Sequence, residues 1–193
     1  MLYRSGENLF KGAKAFVDQN DEITIFSAYL KLDVLKKLNE GNNRNGKRNV
    51  RVKQIVVRWE IQDLYKGVSD IELYNYCLEN NIALYRNTRL HLKAIWNNDK
   101  NIFFGSANIS NRGLHEIGDY NFELNGINEA INVEDQRYLQ RIIKHSEYVT
   151  ESLFNKLKST IESLDLPKIS FPSIPTPPPT IDYFLINQLP MTS

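Results

Sequence analysis

The sequence predicts a three-layer α/β/α sandwich built on a mixed β-sheet, and three observations support this. About six strand-like segments alternate with helix-like segments, a pattern typical of this architecture. The chain has 193 residues, of which 41% are hydrophobic and 24% charged, enough for one domain with a normal core. All seven prolines lie at Pro167 or beyond it. We therefore expect a folded domain over residues 1–166, and a proline-rich linker or arm with a short apolar C-terminal segment over residues 167–193.

The first five elements alternate between helical and strand periodicity. Apolar residues three and four positions apart predict helices, whereas β-branched or alternating runs predict strands. The last of the five, a helix, is predicted to begin with a capping box of Ser69 and Glu72. The predicted order is a helix from Leu9 to Val17, a strand over residues 22–29, a helix over 32–38, a strand over 50–59, and the capped helix, which turns Ile71, Tyr74, Cys77 and Leu78 inward.

The second half of the domain is richer in strands. Residues 81–87 are predicted to pair with residues 89–96, and residues 101–107 and 119–125 follow as further strands. Two amphipathic helices then complete the domain. The first, over residues 134–149, has Leu139, Ile142, Ile143 and Val149 on one face, and the second has Leu153, Phe154, Leu157, Ile161 and Leu164.

Charge and composition exclude several classes of protein. The chain carries 24 Lys and Arg against 23 Asp and Glu, so any site for a polyanion must be local. No apolar run approaches about 18 residues, and the N-terminus does not resemble a secretory signal, so we expect no membrane segment and a cytoplasmic location. Cys77 is the only cysteine, which excludes an intramolecular disulfide and a cysteine-based metal site.

Polar residues at strand spacing form a candidate phosphate site. In the segment RLHLKAIW, alternation places His91 and Lys93 on one face. In GSAN, Ser106 and Asn108 are again two apart, and Gly105 permits a close backbone approach. An imidazole can act as a nucleophile or general acid, an ammonium binds phosphate oxygens, and hydroxyl and amide groups add neutral donors.

A carboxylate can complete this site. Asp119, Asn121 and Glu123 alternate along the segment DYNFEL. If this strand neighbours that of His91, a carboxylate can stand beside the imidazole and orient its second ring nitrogen.

Together, His91-Leu92-Lys93, Gly105-Ser106-Ala107-Asn108 and the following ISNRGL resemble the signature of the phospholipase D superfamily. The resemblance covers residues 5–126 and includes RWEIQDLYKGVSDIELYNYC, which is similar to the segment before this motif in members attached to restriction endonucleases and helicases. Asn98 stands where the family motif usually has Asp. Because the chain carries one motif and not two, it resembles the single-motif nuclease branch, whose members complete the site by homodimerisation.

The resemblance implies a mixed, mostly parallel sheet and hydrolysis of phosphodiesters without a metal or other cofactor. His91 of one subunit would form a phosphohistidine, and the other subunit's His91 would protonate the leaving oxygen and then activate water. Lys93, Ser106 and Asn108 would stabilise the charge of the transition state.

The position of the family's downstream acid stays open between two residues. Counting from Asn108 places it at Asp119, whereas the local pattern Asn-x-Glu-Leu places it at Glu123. We favour Glu123.

Residues 41–58 are basic and contain no acidic residue. Such a segment can contact a phosphate backbone, although an ordinary solvated hairpin tip is an equally good interpretation. The nucleic-acid-binding candidates are Arg44, Lys47, Arg48, Arg51 and Arg58.

The predicted function is that of a metal-independent phosphodiesterase or endonuclease that acts on nucleic acid, with DNA favoured, as a homodimer. We expect a restriction or defence nuclease module, associated with a DNA-recognition or helicase domain or subunit. Two alternatives remain. One is a non-catalytic or partner-activated nucleic-acid-binding subunit, and the other is a phospholipase D-like lipid phosphodiesterase, for which the basic amphipathic interfacial helix is missing.

Overall fold

The computed structural model describes residues 1–40, 51–115 and 120–165, and these ranges contain eight strands and six helices. Arg44, Lys47, Arg48, Asp119 and the arm over residues 167–193 lie outside them. The strands are β1 (Leu2–Arg4), β2 (Ile23–Ser27), β3 (Val52–Val57), β4 (Ala83–Arg86), β5 (Lys93–Trp96), β6 (Ile102–Gly105), β7 (Leu124–Asn128) and β8 (Glu147–Tyr148). The helices are α1 (Leu9–Gln19), α2 (Leu32–Asn39), α3 (Ile61–Tyr65), α4 (Leu73–Glu79), α5 (Val133–Lys144) and α6 (Glu151–Ser163).

The described strands form one mixed sheet in the order β1-β7-β6-β5-β2-β3-β4-β8. The predicted mixed α/β sheet is confirmed, but the expectation that it is mostly parallel is wrong. Among the described strands, only β2–β3 and β3–β4 pair in parallel, whereas the other five pairings are antiparallel. The connections explain part of this result, because β5 and β6 are joined by a short turn from Asn97 to Asn101, which is too short for a parallel crossover.

The predicted pairing of residues 81–87 with 89–96 is also wrong. β4 pairs with β3 and β8, whereas β5 pairs with β2 and β6. After the turn from Asn87 to Leu90, the chain crosses the sheet and forms β5. Ala94 and Trp96 of β5 pack in the same core cluster as Phe26 of β2. Burial of these apolar side chains therefore favours a non-local partner over the adjacent strand.

Both faces of the sheet are covered, which confirms the three-layer sandwich. Ile25 and Ile55 belong to a core cluster with α1, α2, α4 and α6. Phe26, Val56 and Trp96, which point to the opposite face, pack with the side chains of α5. Strand alternation thus supplies two cores from one sheet.

Two local predictions need correction. α4 begins at Leu73, and the hydroxyl of Ser69 accepts a hydrogen bond from the Leu30 amide at 3.1 Å, so Ser69 does not cap this helix. The reciprocal capping box lies instead at the start of α3, between Glu60 and Asp63. Leu78, predicted to point inward, is 65% exposed, because the short helix buries a narrower stripe than the pattern suggested.

Two predicted element boundaries also differ. The closing helix predicted over residues 134–149 ends at Lys144, and Glu147–Tyr148 forms an edge strand against β4. The strand predicted over residues 119–125 begins only at Leu124 among the residues described. Within the described ranges, no helix has the length and apolar character needed to cross a bilayer.

Candidate active site

The candidate site lies at one edge of the sheet, where the ends of three neighbouring strands meet. Ser27, the last residue of β2, pairs with Lys93, the first residue of β5. Ala94 pairs with Phe104 of β6, so the next residues outward bring His91 and Lys93 alongside the segment that contains Ser106. The sheet register therefore unites two motifs that are separate in sequence.

His91 and Lys93 are in direct contact. The Lys93 ammonium donates to His91 Nε2 at 3.0 Å and to the His91 carbonyl oxygen at 2.8 Å. A charged lysine can only donate, so this geometry places the proton of a neutral His91 on Nδ1 and leaves a lone pair on Nε2. The exposed imidazole can act as a nucleophile through Nε2 when the Lys93 ammonium moves from Nε2 to a phosphate oxygen.

Ser106 and Glu123 form the neighbouring part of the site. The Ser106 hydroxyl donates to the Glu123 carboxylate and accepts from the Leu124 amide at 3.1 Å. The other carboxylate oxygen accepts from the Asn121 side chain at 3.2 Å. Among the described residues, no hydrogen bond joins Glu123 to His91, so the orienting role expected of Glu123 stays a prediction.

Asn108 is anchored to the end of β2. Its Oδ1 accepts from the Tyr29 amide at 3.2 Å, and the Ile109 amide donates to the buried Ser27 hydroxyl at 3.1 Å. Because the oxygen of the side chain is engaged, Asn108 can offer its amide N–H groups to an anion.

Arg58 follows β3 and forms a partly buried ion pair with Asp63. The guanidinium donates to both carboxylate oxygens, at 2.7 and 2.5 Å, and to the Tyr29 hydroxyl at 2.9 Å. It also lies 4.8 Å from the centre of the Tyr29 ring. The hydrogen bonds from Arg58 to Asp63 are the main cause that raises the pKa of the guanidinium. Tyr29 was not among the predicted site residues, and its place at the end of the strand predicted over residues 22–29 was the one available signal.

The charges at this edge influence one another. Burial lowers the pKa of Lys93, the positive charge of Arg58 lowers it further, and the negative charge of Glu123 opposes both effects. In the described parts of the chain, no three His, Cys, Asp or Glu side chains lie together as the ligands of a metal ion would.

Gly105 allows the strand before Ser106 to approach β7 closely, as the sequence predicted. A Cβ atom at this position would lie 2.3 Å from the Leu124 carbonyl oxygen and 2.6 Å from the Asn125 Cα atom. Both contacts are far shorter than a normal van der Waals separation. The absence of a side chain is therefore necessary for the pairing that brings Ser106 to Glu123.

Two other residues lie at the opposite edge of the sheet. Asn98 accepts a hydrogen bond from the Thr24 hydroxyl at 2.6 Å, which gives it a structural role. Arg51 pairs with Asp21 at 3.1 Å. It precedes β3 and Arg58 follows it, so about 20 Å of strand separates the two arginines. The structure therefore places Arg58 at the candidate site and separates Arg51 from it.

Comparison with solved structures identifies the fold, whereas comparison of sequences does not. No protein-family model matches the sequence, and no curated protein sequence matches it. Among solved structures, the phospholipase D family member Nuc from Salmonella typhimurium is similar, with a TM-score of 0.59, 16% identity, and coverage of 78% of this chain and 97% of that one. NucT from Helicobacter pylori gives a TM-score of 0.55, 14% identity, and coverage of 77% and 98%.

A third similar structure is phosphatidylserine synthase from Haemophilus influenzae Rd KW20. It has a TM-score of 0.50 and 15% identity, and the match covers 83% of this chain and 42% of that one. The fold expected from the His91 and Ser106 motifs is thereby confirmed. This chain has the fold of the phospholipase D superfamily.

Proposed function

We propose that this protein is a phosphodiesterase that hydrolyses nucleic acid, with DNA favoured, through a covalent intermediate on His91. The observation that supports this most directly is the hydrogen bond from Lys93 to His91 Nε2, because it fixes the lone pair on Nε2 and holds a phosphate-binding cation beside it. Nε2 becomes free to attack when the Lys93 ammonium moves to a phosphate oxygen. Asn108 supplies neutral N–H donors at the same edge of the sheet, and Ser106 can donate when its hydroxyl turns from Glu123 to a phosphate oxygen.

The proposed reaction has two steps. His91 Nε2 attacks the phosphorus, the bond to the leaving oxygen breaks, and the His91 of a second subunit donates a proton to that oxygen. Water then attacks the phosphorus while the same second imidazole accepts its proton, and the phosphorus–nitrogen bond breaks. Lys93, Ser106 and Asn108 stabilise the charge on the phosphoryl oxygens in both steps. Neither step requires a metal ion.

An exposed apolar patch supports the need for a second subunit. We define the patch as the exposed residues Leu2, Phe104 and Leu124 together with Phe122, which lies two residues before Leu124 in the chain and is 98% exposed. Leu2, Phe104 and Leu124 occupy the same side of their paired strands, and the patch borders Glu123. Exposed patches of this kind mark interaction surfaces, and an isologous contact would bring two sites together. We propose that this patch forms the homodimer interface.

The wider biological setting is proposed from the segment RWEIQDLYKGVSDIELYNYC, which is similar to a segment of members attached to restriction endonucleases and helicases. By itself, a nuclease domain over residues 1–166 would show little sequence specificity. We propose that it acts in restriction or defence, directed by a DNA-recognition or helicase domain or subunit.

Cleavage of plasmid and single-stranded DNA in EDTA tests the proposal. Wild-type protein is expected to cut, and His91→Ala and Lys93→Gln are expected to lose the activity while they keep the circular dichroism spectrum of the wild type. Lys100→Gln is the matched control, because Lys100 is an exposed lysine at the opposite edge of the sheet. Salt-sensitive DNA binding without turnover, unchanged in His91→Ala, would instead indicate a binding subunit.

A further inference from the structure

A groove of about 640 Å³ opens beside His91, between the segment that leads into β5 and the exposed side of α5. On α5, Arg141 and Ile142 follow Tyr138 by three and four positions, so these three residues lie on one face of the helix. The volume falls within the range of roughly 300–1,000 Å³ that is typical of ligand sites. The groove is lined by Asn87, Arg89, Leu90, His91, Leu92, Tyr138, Arg141, Ile142 and His145.

The polar lining of this groove favours an anion. Arg89 and Arg141 are both exposed, and neither forms an ion pair with another described residue. The Asn87 side chain accepts from the Arg89 amide at 3.1 Å, which holds the Arg89 backbone two residues before His91. No Asp or Glu is among the described residues that line the groove. Phosphates on either side of a bond cleaved at His91 would meet these cations.

The apolar lining of the groove favours single-stranded over duplex nucleic acid. Leu90, Leu92 and Ile142 line the groove together with the two arginines, and Tyr138 projects from α5 with 57% of its surface exposed. In a duplex the faces of the bases are stacked inside the helix and cannot reach such a surface. Unpaired bases expose their faces and stack on aromatic side chains.

We propose that this groove binds unpaired nucleotides of single-stranded DNA next to the phosphate at His91, with a base on Tyr138 and phosphates at Arg89 and Arg141. This inference rests on the proposed function and adds the substrate class. It uses residues outside the catalytic set, so it can be tested independently of the chemistry.

The test compares two substrates. Bis(p-nitrophenyl) phosphate is a small diester that can reach His91 without filling the groove, whereas a thymidine oligonucleotide must fill it. Tyr138→Ala and Arg141→Gln are expected to lower kcat/KM for the oligonucleotide on the order of tenfold and to leave hydrolysis of the small diester unchanged. Arg137→Gln is the matched control, because Arg137 is an exposed arginine of the same helix outside the groove.

Binding to His91→Ala protein separates this inference from the proposed catalysis. In that background, Arg141→Gln is expected to reduce the slope of log affinity against log salt concentration by about 0.7. His91→Ala protein without a second substitution is expected to bind a hairpin duplex more weakly than the single strand. Equal affinities of Tyr138→Ala, Arg141→Gln and Arg137→Gln for the oligonucleotide would overturn the inference, as would equal binding of duplex and single strand. Failure of wild type to hydrolyse either substrate would reject the catalytic proposal, while this binding comparison would still decide the role of the groove.

Discussion

At the scale of single residues, Lys93 connects the nucleophile to the charges around it. Its ammonium contacts His91, and its pKa is lowered by burial and by Arg58 against the opposing effect of Glu123. A lowered pKa means that the ammonium loses its proton at a lower pH than an ordinary lysine. The ability to bind a phosphate anion is lost with that proton.

The p-nitrophenolate group leaves as an anion and needs no proton from the second subunit. We therefore expect the alkaline decline of kcat/KM for bis(p-nitrophenyl) phosphate to follow Lys93 and to occur below the ordinary lysine value of 10.5. This parameter reports the ionisation of the free enzyme. Lys93→Arg should keep its positive charge over the measured range, so its weaker activity should show no such decline. A decline at or above 10.5 in the wild type, or the same decline in Lys93→Arg, would contradict this assignment.

Removal of one partner of the Arg58–Asp63 pair is expected to destabilise the fold strongly. The Asp63 side chain is 4% exposed and that of Arg58 18%, so Asp63→Ala would leave a poorly solvated guanidinium unpaired. Loss of one partner of a buried pair costs about 3 kcal/mol or more of unfolding free energy, which urea denaturation can measure. Glu7→Ala, which breaks the exposed pair with Arg4, should cost about 1 kcal/mol at most. Similar losses in the two variants would rule out this explanation.

At the scale of elements, the pairing of β6 with β7 holds Ser106 against Glu123. Gly105→Ala should force these strands apart, because the added methyl group would meet backbone atoms that cannot move aside independently. Overpacking of this kind costs about 1–3 kcal/mol, and we expect a loss of DNA cleavage with it.

Gly126→Ala is the matched control for this prediction. Gly126 lies on β7 itself, but an added Cβ there would be 3.6 Å from its nearest neighbours, which is an ordinary contact. Thermal unfolding should therefore separate the two variants. Cleavage by Gly105→Ala is compared with the wild type, because Gly126 lies beside Leu2 and Phe104 of the apolar patch. If Gly105→Ala retains both stability and activity, the close approach of β6 and β7 is not required.

At the scale of the whole molecule, a site shared by two subunits has a distinctive signature in mixtures. When wild type and His91→Ala are refolded together at constant total protein, only pairs of wild-type chains contain both imidazoles. Cleavage should then follow the square of the wild-type fraction. A linear decline would show that each chain carries a complete site.

Variants of the apolar patch test the shared site independently of this mixing experiment. Phe122→Ser should give a monomer by light scattering and lose activity, because it removes the most exposed apolar side chain of the patch. Leu78→Ser removes a side chain that is 65% exposed on α4 and should remain dimeric and active. A fully active monomer of Phe122→Ser would reject both the interface and the shared site.

Local sequence was sufficient for features that depend on neighbours in the chain. Strand alternation placed His91 with Lys93 and Ser106 with Asn108 on shared faces, which indicated a phosphate site. The resemblance of these motifs to the phospholipase D superfamily then implied the fold. Apolar periodicity likewise identified the three layers. These patterns involve residues close together in the sequence, so they can be recognised without knowledge of the rest of the fold.

Tertiary structure decided what depends on distant partners. β5 pairs with β2 and not with β4, Arg51 lies about 20 Å of strand away from Arg58, and α5 brings Arg141 and Tyr138 beside His91. Each result follows from burying apolar faces contributed by remote segments, and the periodicity of one segment cannot name the segment that will cover it. The motif was therefore visible in the sequence, whereas its surroundings, which determine what it can bind, exist only in the packed fold.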